Sequence, residues 1–393
     1  MIYENDYKGN GLYSWLKMDF GSMIYVNEMC MSSNAQDMDR GRGKKVGGIY
    51  GFANQGYVQF MKVQNNLEHR ITIGRAYLEH GFGKSSRLLV SKWSRPFDQI
   101  GWSLLYKGIS AKMVGVQLDP IEDINRYFSI HVINFDLLNN LTISFGESSI
   151  YAGENRGIEL QYFNPTLFWI PIRENQPSTN QANGFLYTGI KYNNLKNAFW
   201  FEYLLDDYQI DRTIQEPTTY GFIVGIEKVD LFIKYFDSFW AEYSKVSNRT
   251  YQTMGELGEE NYIHRSFPIG HYLGNDFDNL VFNVKSKNLS RSKYDFYSNF
   301  KFSFLRDGNS GIEIDWDSPW LDIEEGVIFE ENSPTLPINQ ILEFVINANL
   351  QYEKKYIMDL GLYYKSSKSK LQNESDLSFL FRISMNFISD FNY

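Results

Sequence analysis

Apolar and polar residues alternate along most of the chain. Toward the C-terminus, Leu377, Phe379, Phe381, Ile383, Met385 and Phe387 alternate with Ser378, Leu380, Arg382, Ser384, Asn386 and Ile388. Leu342, Phe344, Ile346, Ala348 and Leu350 alternate with Glu343, Val345, Asn347 and Asn349, and Tyr294, Phe296, Phe300, Phe302 and Phe304 follow the same rule. Consecutive side chains of a strand point to opposite faces, so each segment has one apolar and one polar face. The segments run to about 10 residues, enough for a tilted strand to cross a bilayer. A soluble sandwich alternates too, but its strands average about 5–6 residues.

Connections sharpen this reading. Short turns are expected at Phe20-Gly21-Ser22, Asn65-Asn66-Leu67-Glu68, Lys107-Gly108, Leu138-Asn139-Asn140, Asn193-Asn194-Leu195-Lys196, Glu227-Lys228-Val229-Asp230, Ser286 to Ser292 and Glu353-Lys354. They alternate with longer loops near 31–55, 80–96, 119–126, 152–183, 208–217, 247–276, 305–341 and 367–375. Bacterial barrels have short periplasmic turns and longer outside loops. The predicted fold is all-β, a transmembrane antiparallel up-and-down β-barrel. Its strand count is about 17 in this chain and, because such barrels have even numbers, about 18 in the full protein. Ile158 to Tyr162 also looks strand-like, but a spanning strand there would break the parity. The segment 152–183 is therefore read as one folded loop.

Composition changes the picture in three ways. The chain of 393 residues is 43% hydrophobic with 30 Phe and 28 Tyr, yet its mean hydropathy is -0.38. Alternation reconciles these, since every second residue faces lipid and the others face water. A net charge of -9 argues against a nucleic-acid partner, which requires a basic face. The single cysteine, Cys30, permits no internal disulfide. The start, Met1 to Asp6, has no charged and apolar leader of the signal-peptide type. The expectation is one barrel domain over 1–393 that lacks its signal peptide and its first strand.

Chemistry is sparse. The five histidines have no zinc-ligand spacing, and there is no Gly-x-Ser-x-Gly elbow, His-Glu-x-x-His or complete phosphate loop. Gly81-Phe82-Gly83-Lys84-Ser85 resembles the tail of a phosphate loop, but Glu79 stands where its first glycine belongs, and no helix follows. Asp206 and Asp207 face opposite sides of a strand, whereas Glu202 and Asp206 share one, the lumen. No metal, cofactor or catalytic step is expected. Trp93, Trp169, Trp316 and Trp320 fall in predicted outside loops with Tyr251, Tyr262 and Tyr272. Aromatic faces pack on the C–H faces of sugars. Trp93, Arg95, Trp169, Arg173, Tyr251, Tyr262, His264 and His271 are therefore the candidate polysaccharide-binding residues.

Several blocks in order resemble the Wzi capsule assembly family. They are Gly74-Arg75-Ala76-Tyr77-Leu78, Gly81-Phe82-Gly83-Lys84-Ser85-Ser86-Arg87-Leu88-Leu89, Pro96-Phe97-Asp98, Leu141 to Glu147, Glu159 to Pro165, Glu202 to Asp207, Glu242-Tyr243-Ser244, Tyr262-Ile263-His264 and Gly270-His271-Tyr272-Leu273-Gly274. The resemblance covers about residues 70 to 275 and implies an outer-membrane barrel of 18 strands with a small helical region before the first, a region expected to be missing from 1–393 along with the signal peptide and first strand. It implies lectin-like binding of exported capsular or other surface polysaccharide and its attachment to the cell surface. Outer-membrane lipid and the capsule export machinery are the further implied partners. A porin or substrate channel is the alternative. Two readings of the motif residues remain open. Arg75, Glu202, Asp206 and Glu242 form a lumenal polar network that plugs the pore, or the Tyr251 to Gly274 loop carries a glycan site.

Overall fold

The computed structural model describes residues 11–32, 50–164, 167–169, 182–208, 216–231, 235–254, 257–291, 293–322, 329, 331–352, 356–369 and 373–385. Its main strands, in chain order, begin with β1 (Gly11–Asp19), β2 (Met23–Ser32), β3 (Tyr50–Gln64), β4 (Leu67–Ala76), β5 (Phe97–Tyr106), β6 (Ile109–Ile121), β7 (Ile124–Leu137) and β8 (Leu141–Glu154). Next come β9 (Asn183–Asn193), β10 (Asn197–Asp207), β11 (Thr219–Val229) and β12 (Phe236–Val246). Two short strands, β13 (Ile263–His264) and β14 (Phe267–Pro268), pair only with each other. The wall resumes with β15 (Phe277–Ser286), β16 (Leu289–Arg291), β17 (Tyr294–Asp307), β18 (Asn339–Tyr352), β19 (Tyr356–Lys368) and β20 (Asn373–Met385).

Each long wall strand pairs antiparallel with the next long one, from Gly11↔Ser32 in β1–β2, through β15–β17, to Lys368↔Asn373 in β19–β20. The large sheet holds 18 strands. Seventeen are long, and β16 is a three-residue ladder folded back on the start of β17. This is the up-and-down transmembrane β-barrel that the alternation implies. Outward positions carry exposed apolar side chains, among them Ile71, Ile73, Ile100, Phe145, Phe199, Ile226, Leu280, Ile346 and Leu360. These faces suit lipid tails. Among the described residues no helix is long and apolar enough to cross a membrane.

Three connections differ from expectation. The predicted loop 119–126 is a turn at Glu122-Asp123, because β6 and β7 run on to an Ile121↔Ile124 pair. Asp119-Pro120 reads as loop, but the ladder accommodates Pro120 at a register shift between Leu118 and Ile121, where a missing N–H is tolerated. The turn expected from Glu227 starts at Asp230, in the left-handed conformation with φ 56°. Between Ser286 and Tyr294 the chain forms β16 rather than a plain turn. The strand-like stretch at Ile158 contains a short 3-10 turn, Leu160–Phe163, inside the long β8–β9 connection. Glu353-Lys354 and residues 386–393 lie outside the described residues.

Candidate functional site

The β4–β5 connection does not arch away from the barrel. It turns inward, and Leu88, Leu89 and Val90 are completely buried. Two wall carboxylates hold it there. On β10, Ala198, Trp200, Glu202 and Leu204 alternate inward, so Glu202 stands in the lumen among apolar neighbours. Its Oε1 accepts the N–H groups of Phe82 and of Gly83, the latter at 2.5 Å, and its Oε2 accepts Leu88 N–H at 3.1 Å. On β12, Glu242 accepts Lys84 N–H at 2.7 Å, Ser85 N–H at 2.9 Å, the Ser85 hydroxyl and the Trp200 indole N–H at 2.7 Å. A buried carboxylate is tolerable only when its lone pairs are satisfied in this way. Successive backbone N–H groups form an anion cradle, and here the anions belong to the barrel itself.

Glycine makes the cradle possible at two points. Gly81 has φ 137°, and a Cβ there would lie 2.8 Å from Glu202 Oε1. A Cβ on Gly83 would lie 2.0 Å from the Ser86 carbonyl oxygen. Charged side chains of the loop are paired as well. Arg87 meets Glu79 and donates to the Gly81 carbonyl at 2.8 Å. Lys84 meets Glu227 and lies 5.5 Å from the Trp200 ring centroid.

The β12–β15 connection closes over this loop. Tyr251 and Tyr262 are completely buried and stacked, with ring centroids 5.2 Å apart and an interplanar angle of 11°. Tyr251 donates its hydroxyl to Leu88 O at 2.7 Å, and Tyr262 to Leu89 O at 2.8 Å. Asp206 of β10 accepts Tyr251 N–H at 2.7 Å. Ser91 N–H donates to Ile269 O, and Tyr272 N–H to the Ser86 hydroxyl. His264 stacks on Phe97 at 4.7 Å, and His271 packs on Phe277 at 4.5 Å. Burial pushes the His264 imidazole down to about 4 and that of His271 down to about 3, because a charged ring would lose its hydration. The same desolvation raises the phenols of Tyr251 and Tyr262.

A third layer comes from the β17–β18 connection. Asp276 accepts Ser310 N–H at 3.0 Å and Thr335 N–H at 2.9 Å. Arg249, 5% exposed, pairs with Asp317 at 2.5 Å and Glu331 at 3.1 Å. Its guanidinium also lies 5.1 Å from the Trp316 centroid and 4.8 Å from that of Trp320. Among the described residues, no group of three or more His, Cys, Asp or Glu could hold a metal ion.

A family model described as capsule assembly protein Wzi matches residues 50–376. The chain belongs to this family. Among solved structures, it is similar to Wzi of Escherichia coli, an outer membrane protein involved in group 1 capsule assembly and a carbohydrate-binding β-barrel, with TM-score 0.64 and 12% identity over 93% of this chain and 76% of that one. Two Pseudomonas aeruginosa proteins, OccK10 (OpdN) and OpdQ, match at TM-score 0.44. OccK10 is 7% identical over 97% of this chain and 93% of its own, and OpdQ is 11% identical over 96% and 89%. No curated protein matches the chain. As a Wzi-family β-barrel, the chain is a protein of the Gram-negative outer membrane.

Within this Wzi-family barrel the candidate residues separate into groups. Glu202, Asp206 and Glu242 face one lumenal assembly. Arg75 stands apart in a bidentate pair with Asp98 at 2.9 and 2.6 Å. Arg265 of the inserted loop lies 3.7 Å from Asp98 and 2.9 Å from Asp119. Tyr251, Tyr262, His264 and His271 are interior parts of the plug. Trp169 is buried in a separate cluster, with its ring centroid 4.2 Å from that of His131 and edge-on to Tyr162, and its backbone N–H donates to Glu147 at 3.0 Å. Trp93 is half-buried and donates its indole N–H to Ser85 O at 2.8 Å. Arg95 lies over the Phe267 ring at 4.0 Å. Arg173 lies outside the described residues.

Sequence reasoning did not single out Arg249, Asp276, Asp317 or Glu331. No local spacing connects them. The Gly81 to Ser85 cradle did leave a signal, the likeness to a phosphate-loop tail. Its anion partners lie 119 and 158 residues further on.

Proposed function

We propose that the barrel is a non-catalytic, lectin-like binder of exported surface polysaccharide that helps fix the polymer to the cell surface. The observation that carries this is the clasp of the β4–β5 loop by Glu202 and Glu242, sealed by Tyr251 and Tyr262. It packs protein against the β10 and β12 side of the lumen, which leaves the outer loops as the surface to meet polymer. Glu202 and Glu242 are spent on loop amides, which supports binding without catalysis. Membership of a capsule assembly family and the carbohydrate binding of the Escherichia coli relative point the same way. In this reading the apolar outward faces contact membrane lipid, and the outer loops work beside the capsule export machinery.

A substrate channel is the second reading, favoured by the part of the wall that no described loop covers. Planar-bilayer recording and titration with the host's own surface polysaccharide separate the two. The expected result is no porin-sized conductance together with saturable binding. Large steady conductance without polysaccharide binding would transfer the assignment to a channel.

A further inference from the structure

A cavity of about 220 Å³ opens where the ends of β6 and β7 meet the β12–β15 and β17–β18 connections. Ile121, Ile263, Ile312, Ile314 and Leu257 supply its apolar lining, with Trp316 beside them. Apart from Thr253, its remaining polar side chains fall into two sets. Gln252, Asn261 and Arg126 serve the framework. Gln252 donates to Gly311 O and Ile314 O, and Asn261 donates to Ile312 O. Arg126 donates to the carbonyls of Glu259, Asn261 and Ile263 at 2.5, 3.0 and 3.0 Å. These bonds brace the three segments against one another, so the cavity is built before any ligand enters. Glu313 and Asp315 form the second set. Both are exposed and hold no ion pair among the described residues.

We infer that this cavity is a subsite for a single sugar ring that carries no carboxylate. The inference rests on the polysaccharide-binding reading and narrows it to one place and one ligand class. Size supports a single ring, since pockets for drug-sized ligands span about 300–1,000 Å³. The Trp316 indole and the isoleucines suit the C–H face of a pyranose, an apolar surface edged with polar groups. Two carboxylates accept hydrogen bonds from hydroxyl or ammonium groups and have no proton to donate in return. The charge balance of the lining is two carboxylates against the Arg126 guanidinium, whose Nε and Nη2 are committed to carbonyls. A uronate would place a third anion there, and like charge is a strong means of rejection.

The test is titration of the folded barrel in detergent, followed by tryptophan fluorescence and saturation-transfer NMR, with methyl glucoside, glucosamine and glucuronate as probes. Methyl glucoside and glucosamine are expected to bind saturably, and glucuronate at least about tenfold more weakly. Trp316→Ala should abolish binding of the first two. Because Trp316 also packs on Arg249, Glu313→Gln with Asp315→Asn is the second variant. Both side chains are exposed and the change keeps their shape, so folding is spared. That pair should bring glucuronate to within about threefold of methyl glucoside. Glucuronate binding as tightly as methyl glucoside in the unaltered protein overturns the inference. So does an absence of saturable binding by all three sugars, or indifference to both variants. If whole polysaccharide still binds in those cases, the subsite is wrong and the polysaccharide-binding function stands. If whole polysaccharide also fails to bind, the functional reading falls with it.

Discussion

The two sides of the barrel wall are built from the same alternating strands but live in different surroundings. On β6 to β12 and β15, inward positions are packed tightly. Val114, Val116, Phe128, Ile130, Ile150, Phe185, Trp200, Leu204, Ile223 and Val281 are all buried. On β1 to β3 and β18 to β20, the described side chains include two buried ones, Val26 and Val345. The difference does not lie in the ladders between consecutive strands, which run through both sides, although none among the described residues joins β1 to β20. It lies in what the inserted loops touch. Their anchors, Glu202, Asp206 and Glu242, all stand on β10 and β12. Lumen-facing carboxylates on one side are structural because loop amides reach them. On the other side Glu343 accepts the Tyr363 hydroxyl at 2.9 Å and lies 4.0 Å from Lys365, and among the described residues no loop amide donates to it. The same residue type therefore does different work according to what enters the barrel beside it.

Three measurements bear on this contrast. The largest effect is expected from Glu202→Ala. Three backbone N–H groups would lose their acceptor, at roughly 1–3 kcal/mol for each buried donor left unpaired. The wall, held by its own ladders, should stay folded by heat-modifiable gel migration, while limited proteolysis begins to cut between Tyr77 and Pro96. Cleavage no faster than in the unaltered protein would remove Glu202 as the anchor.

Acid comes next. His264 and His271 are held neutral in the plug, with folded values depressed below the ordinary 6.5 to about 4 and about 3. Below about 6.5 the released loops take up protons that the packed loops refuse. The plug is thus at full strength above pH 6.5 and weakens as pH falls toward 3–4. Around His264 the nearby charges are Arg265, Arg126 and Asp119, so part of the effect there follows their balance. Protease sensitivity of the β12–β15 loop should rise through that window, and His271→Phe should blunt the rise. A profile flat from pH 7 to pH 4 would show that these imidazoles do not control the plug. The smallest effect is reserved for the uncovered side. Glu343→Gln disturbs a partly exposed pair, worth about 0–1 kcal/mol, and should leave plug proteolysis unchanged.

The wall was legible in the sequence because a period of two is written into neighbouring residues. Leu342 to Leu350 shows its two faces without knowledge of any partner. Turns such as Lys107-Gly108 and Leu138-Asn139-Asn140 were readable for the same local reason. The plug was legible only in part. Glu202 and Asp206 could be assigned to one face by counting, yet nothing local tells that backbone amides of a distant loop will seek them. A nest of N–H groups has no side-chain signature beyond its glycines, and Gly81 and Gly83 gave only a likeness to a phosphate-loop tail, which Glu79 and the lack of a following helix ruled out. Tyr251 and Tyr262 looked like sugar-facing rings because aromatic residues in a long outer loop serve equally well as packing. Their hydroxyls turn onto Leu88 O and Leu89 O, and that direction is invisible in a linear chain.

The long separation between the cradle and its anchors also sets an order of events. The β4–β5 loop emerges early in the chain, but the carboxylates that seat it arrive with β10 and β12. Contacts between distant segments form late, since a large loop must close first. The barrel must therefore raise much of its wall while this loop waits with its amides unpaired. Seating of the plug is in effect a report that β10 and β12 have taken their places in correct register. A one-residue slip of either strand would turn its glutamate outward to lipid and leave the loop without a lock.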